Sequence, residues 1–98
     1  MVAKTEPNRI HFKLGRVVAT RGALSAFEEA GETILPYIAR HAHGDWGDVC
    51  EDDALENELS VSEGFRILSA YTHSTGVKVW IITEADRSAT TVLLPEEY

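Results

Sequence analysis

Ninety-eight residues, 44% of them hydrophobic, suffice for one modest core, and a lone cysteine, Cys50, excludes any intrachain disulfide. A net charge of −7 argues against direct binding to nucleic-acid phosphates or to an anionic membrane surface. No apolar run approaches the roughly 20 residues that span a bilayer, and the polar start Met1–Arg9 is no signal peptide, so a cytoplasmic location is expected.

Residues 1–9 read as a flexible N-terminal arm, and 10–98 as a single α+β domain. Residues 10–19 alternate in part, with Phe12 and Leu14 set against His11 and Lys13. This predicts a leading strand with Gly15 as a bulge. Thr20 is placed to cap a helix over 21–30 with Leu24 and Phe27 on its inner face, ended by Gly31. Thr33 is the expected cap of a second helix running from Ile34 to about His41. Pro36 falls in its first turn and Leu35, Ile38 and Ala42 form its apolar stripe. Asp53 and Glu56 have the spacing of a capping box for a third helix over 53–62, with Leu55 and Leu59 facing the core and Gly64 beyond its end.

The period then changes. Residues 65–72, 78–84 and 90–94 are β-branched and aromatic runs joined by turns at 74–76 and 85–89, which predicts a three-stranded antiparallel meander packed against the helices. Trp80-Ile81-Ile82 is apolar on both parities, as expected of a middle strand covered on both faces or of a Trp80 that packs on the loop after the second helix.

That loop, Arg40-His41-Ala42-His43-Gly44-Asp45-Trp46-Gly47-Asp48, follows neither a helical nor a strand period. Together with Ser69-Ala70-Tyr71, and with Trp80-Ile81-Ile82-Thr83-Glu84-Ala85-Asp86-Arg87 running into Thr90-Thr91-Val92-Leu93-Leu94-Pro95, it resembles a family of short hypothetical proteins carried by bacterial plasmids and integrative elements. The resemblance covers nearly the whole chain. It implies a genetic setting, mobile DNA in a bacterium, and no mechanism. In that pattern Ala42-His43 is a variable spacer, and Arg21 stands where such proteins place a proline.

Several chemistries compete for these residues. His41, His43 and Asp45 echo a His-x-His-x-Asp metal motif, but further ligands are missing and no cofactor is expected. Cys50 lies among acids that disfavour a thiolate, which points to a buried structural cysteine. Helices followed by a meander suit a small hydrolase or a barnase-like or RelE-like ribonuclease, with His41 and Asp45 or Glu84, Asp86 and Arg87 as catalytic candidates and His73 and Arg66 in support. The plainer expectation is that Glu84, Asp86 and Arg87 form a hairpin ion pair. A clasp is expected between the 40–48 loop and the 84–87 turn, with Arg40 or Arg87 meeting Asp45 or Asp48.

Eight of the sixteen acids fall between Asp45 and Glu63, and no lysine or arginine lies between Arg40 and Arg66. Trp46, Asp48, Glu51, Asp52, Asp53 and Glu56 are therefore the candidate partner-binding residues. Trp46 is expected to fold onto the core with its N–H on a carbonyl. The favoured functional expectation is a small acidic protein of a mobile element that binds another protein, as an inhibitor of a host defence nuclease complex of CRISPR or restriction type would. Oligomeric state is not legible, although Leu93-Leu94-Pro95 would suit a sheet edge covered in a dimer.

Overall fold

The computed structural model describes residues 10–98; the arm expected over 1–9 lies outside the described residues. Strand β1, Arg16–Ala19, leads into helices α1 (Arg21–Ala30), α2 (Leu35–Ala42) and α3 (Glu51–Glu63). Strands β2 (Ile67–Thr72), β3 (Lys78–Thr83) and β4 (Ala89–Leu93) follow, with a short 3-10 turn at Pro95–Glu97. The chain is α+β, as the change of period predicts.

The sheet order is β1-β4-β3-β2. The three later strands form the antiparallel meander, while β1 lies parallel to β4. The leading strand is shorter than expected. Gly15 takes a left-handed conformation (φ +65°), and a β-carbon there would sit 2.4 Å from the carbonyl oxygens of Arg87 and Ser88. It is thus the turn that starts β1, not a bulge inside a longer strand. The segment ahead of it goes elsewhere: Phe12 is buried, and the His11 N–H donates to the Ala42 carbonyl at 2.8 Å.

Two hydrophobic clusters lie on the helical side of the sheet. One joins Ala23, Phe27 and Ile38 to Tyr71, Val79, Ile81 and Val92. The other is Phe12, Trp46 and Ile67, against which Val49, Ala54 and Val61 pack. Each fully buried large side chain here is worth about 1.5–3 kcal/mol of transfer free energy. Ile81 and Ile82 are both buried, so β3 is covered on both faces. The Trp80 ring packs edge-on against Tyr98 at 5.7 Å.

The helix ends depart from expectation in two places. Thr20 does cap α1, accepting from the Ala23 N–H at 3.1 Å. At α2 the N-cap is Ile34 rather than Thr33, without a side-chain bond, and Pro36 occupies the first turn where a missing N–H costs little. At α3 there is no Asp53/Glu56 capping box, because the helix starts two residues earlier with Cys50 as its N-cap. Glu51, Asp52 and Asp53 instead line the first turn, where the helix dipole favours negative charge.

The inner faces are also revised. Leu24 and Leu35 are exposed, and α1 and α2 bury Ala23, Ala26 and Phe27 and Ile38, His41 and Ala42. On α3 the inversion is complete. Leu55 and Leu59 are 64% and 54% exposed, whereas Asn57 and Ser60 are buried.

Candidate functional site

His41 sits on the last turn of α2 and is fully buried. Its Nδ1 lies 2.5 Å from Ser69 Oγ and its Nε2 2.8 Å from Thr83 Oγ1. Thr83 Oγ1 is 2.7 Å from Thr90 Oγ1, which is 2.7 Å from the Leu14 carbonyl oxygen. These hydroxyls come from β2, β3 and β4 and cross the helical face of the sheet side by side.

The chain of bonds has one direction. A carbonyl only accepts, so Thr90 donates to Leu14, Thr83 donates to Thr90, and His41 Nε2–H donates to Thr83. Nδ1 is then the lone-pair nitrogen and receives the Ser69 hydroxyl. His41 is neutral in this arrangement, and burial pushes its pKa down from 6.5 to about 4. The rings of Phe12 and Trp46 close on it edge-on, with centroids at 5.2 and 6.0 Å. A Ser–His contact of this kind is one element of nucleophilic catalysis, but no substrate reaches it through this packing.

Downstream, the loop covers a sheet edge. The Ala70 N–H donates to the Trp46 carbonyl at 3.0 Å, and the Asp48 N–H donates to the Ala70 carbonyl at 2.6 Å. Gly47 therefore forms a parallel bridge to Ala70 on the outer side of β2. Only glycine fits: φ is +76°, and a β-carbon would fall 2.0 Å from the Ala70 oxygen. Further along the same edge the Asn57 amide acts as a peptide would. Its Nδ2 donates to the Leu68 carbonyl at 2.8 Å, and its Oδ1 accepts from the Leu68 N–H at 3.2 Å. These two devices satisfy the strand edge that would otherwise template aggregation.

Polar residues of the loop brace this cover. Arg40 Nε lies 2.7 Å from Asp45 Oδ2, and the guanidinium stands 4.6 Å over the Tyr71 ring. The bond to Arg40 holds the Asp45 carboxyl below the usual carboxylate range. Asp45 also accepts the Gly47 N–H, and its own carbonyl accepts the Tyr71 hydroxyl at 2.7 Å. Asp48 accepts from the Thr72 hydroxyl at 2.6 Å. Trp46 is buried, as expected, but its N–H donates to the Glu58 carboxylate at 3.0 Å rather than to a carbonyl.

The expected clasp gives way to a pair inside the loop: Arg40 meets Asp45, whereas Arg87, 5.7 Å over the Phe12 ring, bonds neither loop aspartate. Its guanidinium donates to the carbonyls of Ser60, Phe65, Glu84 and Ala85 at 2.8–3.2 Å. It ties the C-terminus of α3 to the β3–β4 hairpin, not the 40–48 loop to that hairpin. The expected ion pair with Glu84 or Asp86 is replaced by these carbonyl contacts. Asp86 accepts the Ser88 N–H at 2.9 Å in a local turn.

The other candidates scatter. His73 is buried against the Phe27 and Tyr37 rings, and Arg66 donates to the Tyr98 hydroxyl at 2.6 Å. Cys50 is exposed, contrary to the buried cysteine expected, because it caps α3. His43 caps α2, and among the described residues no group of three or more histidines, cysteines or acids is placed to hold a metal.

The candidate acids Asp48, Glu51, Asp52, Asp53 and Glu56 are all exposed. On the outer side of α3 Leu55 and Leu59 stand one turn apart beside Asp52 and Glu56, whereas Asp53 lies one turn before Asn57 and Asp48 precedes the helix, bonded to Thr72. Sequence reasoning found the acids but assigned the leucines to the core. The corrective signal is the second stripe, Ala54, Asn57 and Val61, at i, i+3 and i+7. No family model, curated protein or solved structure matches the chain.

Proposed function

We propose that this protein acts by binding another protein, and that the outer face of α3 is its contact surface. One observation carries the proposal: α3 turns Leu55 and Leu59 to solvent in the middle of a run of carboxylates while seating Asn57 and Ser60 against the sheet. Exposing two leucines in a helix that has an inner face to fill gains nothing in stability. A mixed apolar and acidic stripe on a rigid helix matches a groove with apolar pockets and a basic rim. The partner class is accordingly a basic protein surface. A groove evolved for nucleic-acid phosphates has that character, and a defence nuclease complex is the form of it consistent with the mobile-element setting inferred from the chain.

Trp46 has no part in this surface, since its ring is buried and supports the second cluster. The hydrolase alternative draws no support from the geometry. His41 is sealed between Ser69 and Thr83, and Arg87 is committed to carbonyl oxygens 2.8–3.2 Å away.

The test is quantitative affinity capture with wild type, Leu55→Ala/Leu59→Ala and Asp52→Lys/Asp53→Lys proteins, each shown to be folded. A partner lost with both variants and weakened by salt supports the proposal. Equal recovery by all three proteins would falsify it.

A further inference from the structure

The two edges of the sheet are treated differently. The β2 edge is covered by Trp46–Asp48 and by the Asn57 amide. At the other edge, β1 pairs on its inner side alone. The Arg16 N–H donates to the Ser88 carbonyl and the Thr20 N–H to the Val92 carbonyl. By strand alternation Val18 also faces β4, so the N–H and C=O groups of Val17 and Ala19 point away from the sheet. Among the described residues nothing bonds to them, and Val17 and Val18 are exposed. An open edge with β-branched side chains is a template for strand addition.

We infer that β1 pairs with β1 of a second copy, antiparallel about a two-fold axis at Val18, to join two sheets into one of eight strands. The register follows from which groups point outward. Pairing Val17 with the partner's Ala19, and Ala19 with the partner's Val17, uses all four outward groups of each copy. Shifting the axis to Val17 sets Ala19 against Gly15, which is left-handed, and shifting it to Ala19 sets Val17 against Arg21, which is helical. Both shifts lose half of the bonds.

Charge supports the same occupant. In this register Arg16 lies beside the partner's Thr20. By alternation both stand on the sheet face that carries the C-terminal turn, as shown by the packing of Trp80 on Tyr98. Thr20 is bonded to Glu97, so Arg16 of each copy meets the carboxylate at the partner's Glu97. The acidic helix α3 packs on β2, at the far edge. Two chains of net charge −7 thus meet at the edge away from α3 and hold their acidic helices at opposite ends.

Sedimentation and cysteine cross-linking test this directly. Wild type should be a dimer at micromolar concentration and dissociate on dilution. Val18→Lys, which opposes two ammonium groups at the axis, should be monomeric with an unchanged circular-dichroism spectrum. In a Cys50→Ser background, Val18→Cys places two thiols at a non-hydrogen-bonded pair, where α-carbons stand about 4.5 Å apart, within disulfide reach. Copper–phenanthroline, taking two electrons from the thiol pair, should convert most of that variant to a covalent dimer. Val17→Cys, which faces Ala19 of the partner, should cross-link several-fold less. A monomeric wild type overturns the inference, as does a dimer that survives Val18→Lys. Equal cross-linking at positions 17 and 18 overturns the register. The cross-link keeps the test decisive if Val18→Lys does not fold.

Discussion

His41 shows how a residue of catalytic type becomes structural. Its two nitrogens are taken by hydroxyls of β2 and β3, and the Leu14 carbonyl sets the direction of every proton in the series. Protonation would put a donor on Nδ1, facing the hydroxyl that now donates to it. The folded pKa of about 4 lies below the unfolded 6.5, so the unfolded chain binds the proton more readily between those values. The contribution is complete above pH 6.5 and is lost as pH falls toward 4, amounting to about 3 kcal/mol in all. Carboxyls held below their normal range act in the same direction but lower on the pH scale, Glu32 and Glu97 below their ordinary value of 4.5 and Asp45 and Asp86 below 3.8. Urea denaturation at pH 7, 5.5 and 4.5 should therefore show a steep loss that His41→Gln, though less stable at pH 7, largely lacks. An identical slope in both proteins would assign the loss to other groups. Gly47→Ala is a sharper test of the edge cover. With the Ala70 oxygen 2.0 Å from the added carbon, the 46–48 segment must detach, and a loss of about 2–4 kcal/mol is expected. A change under about 0.5 kcal/mol would mean that the loop does not hold the edge.

At the scale of elements, α3 reads one way by hydrophobicity and another by its neighbours. Leu55 and Leu59 have the spacing of a core stripe, but the inner face instead carries the side chain that pairs with the β2 backbone. A pattern of apolar residues cannot report a hydrogen bond between Asn57 and Leu68, which lie eleven positions apart on different elements. Asn57→Leu should cost about 1–3 kcal/mol, because it leaves the Leu68 N–H and C=O partly buried without partners. Leu55→Ala/Leu59→Ala should change stability by no more than about 0.5 kcal/mol, since both side chains are already in water. Thermal melts of the two proteins separate these outcomes. A large loss in the double alanine variant would place the leucines in a core after all. The meander was legible for the opposite reason: β-branched runs such as Lys78–Thr83 and the turns between them are local signals. Its pairing with β1 was not, because the ladder from Arg16 to Ala89 joins distant segments.

Across the whole molecule, α3 separates an inner face that holds the sheet edge from the outer face proposed as the contact surface. The 40–48 loop, dense in histidine, aspartate and tryptophan, was legible as an unusual segment, and its composition suggested chemistry. Its structural partners were not legible, since Ser69, Thr83, Ala70 and Tyr71 lie on strands too distant in sequence for spacing to reveal. The acidic run was legible from charge alone, and the structure adds the two leucines that give it shape. No helix among the described residues is long and apolar enough to cross a membrane, and the outer face of α3 is too acidic to favour an anionic lipid surface. The most direct measurement is the partner-capture comparison carried out at low and raised salt. Wild type should retain a basic protein that Leu55→Ala/Leu59→Ala and Asp52→Lys/Asp53→Lys each lose, with retention falling as salt rises. Recovery of the same proteins by all three at either salt concentration, or by none, would contradict α3 as a binding face.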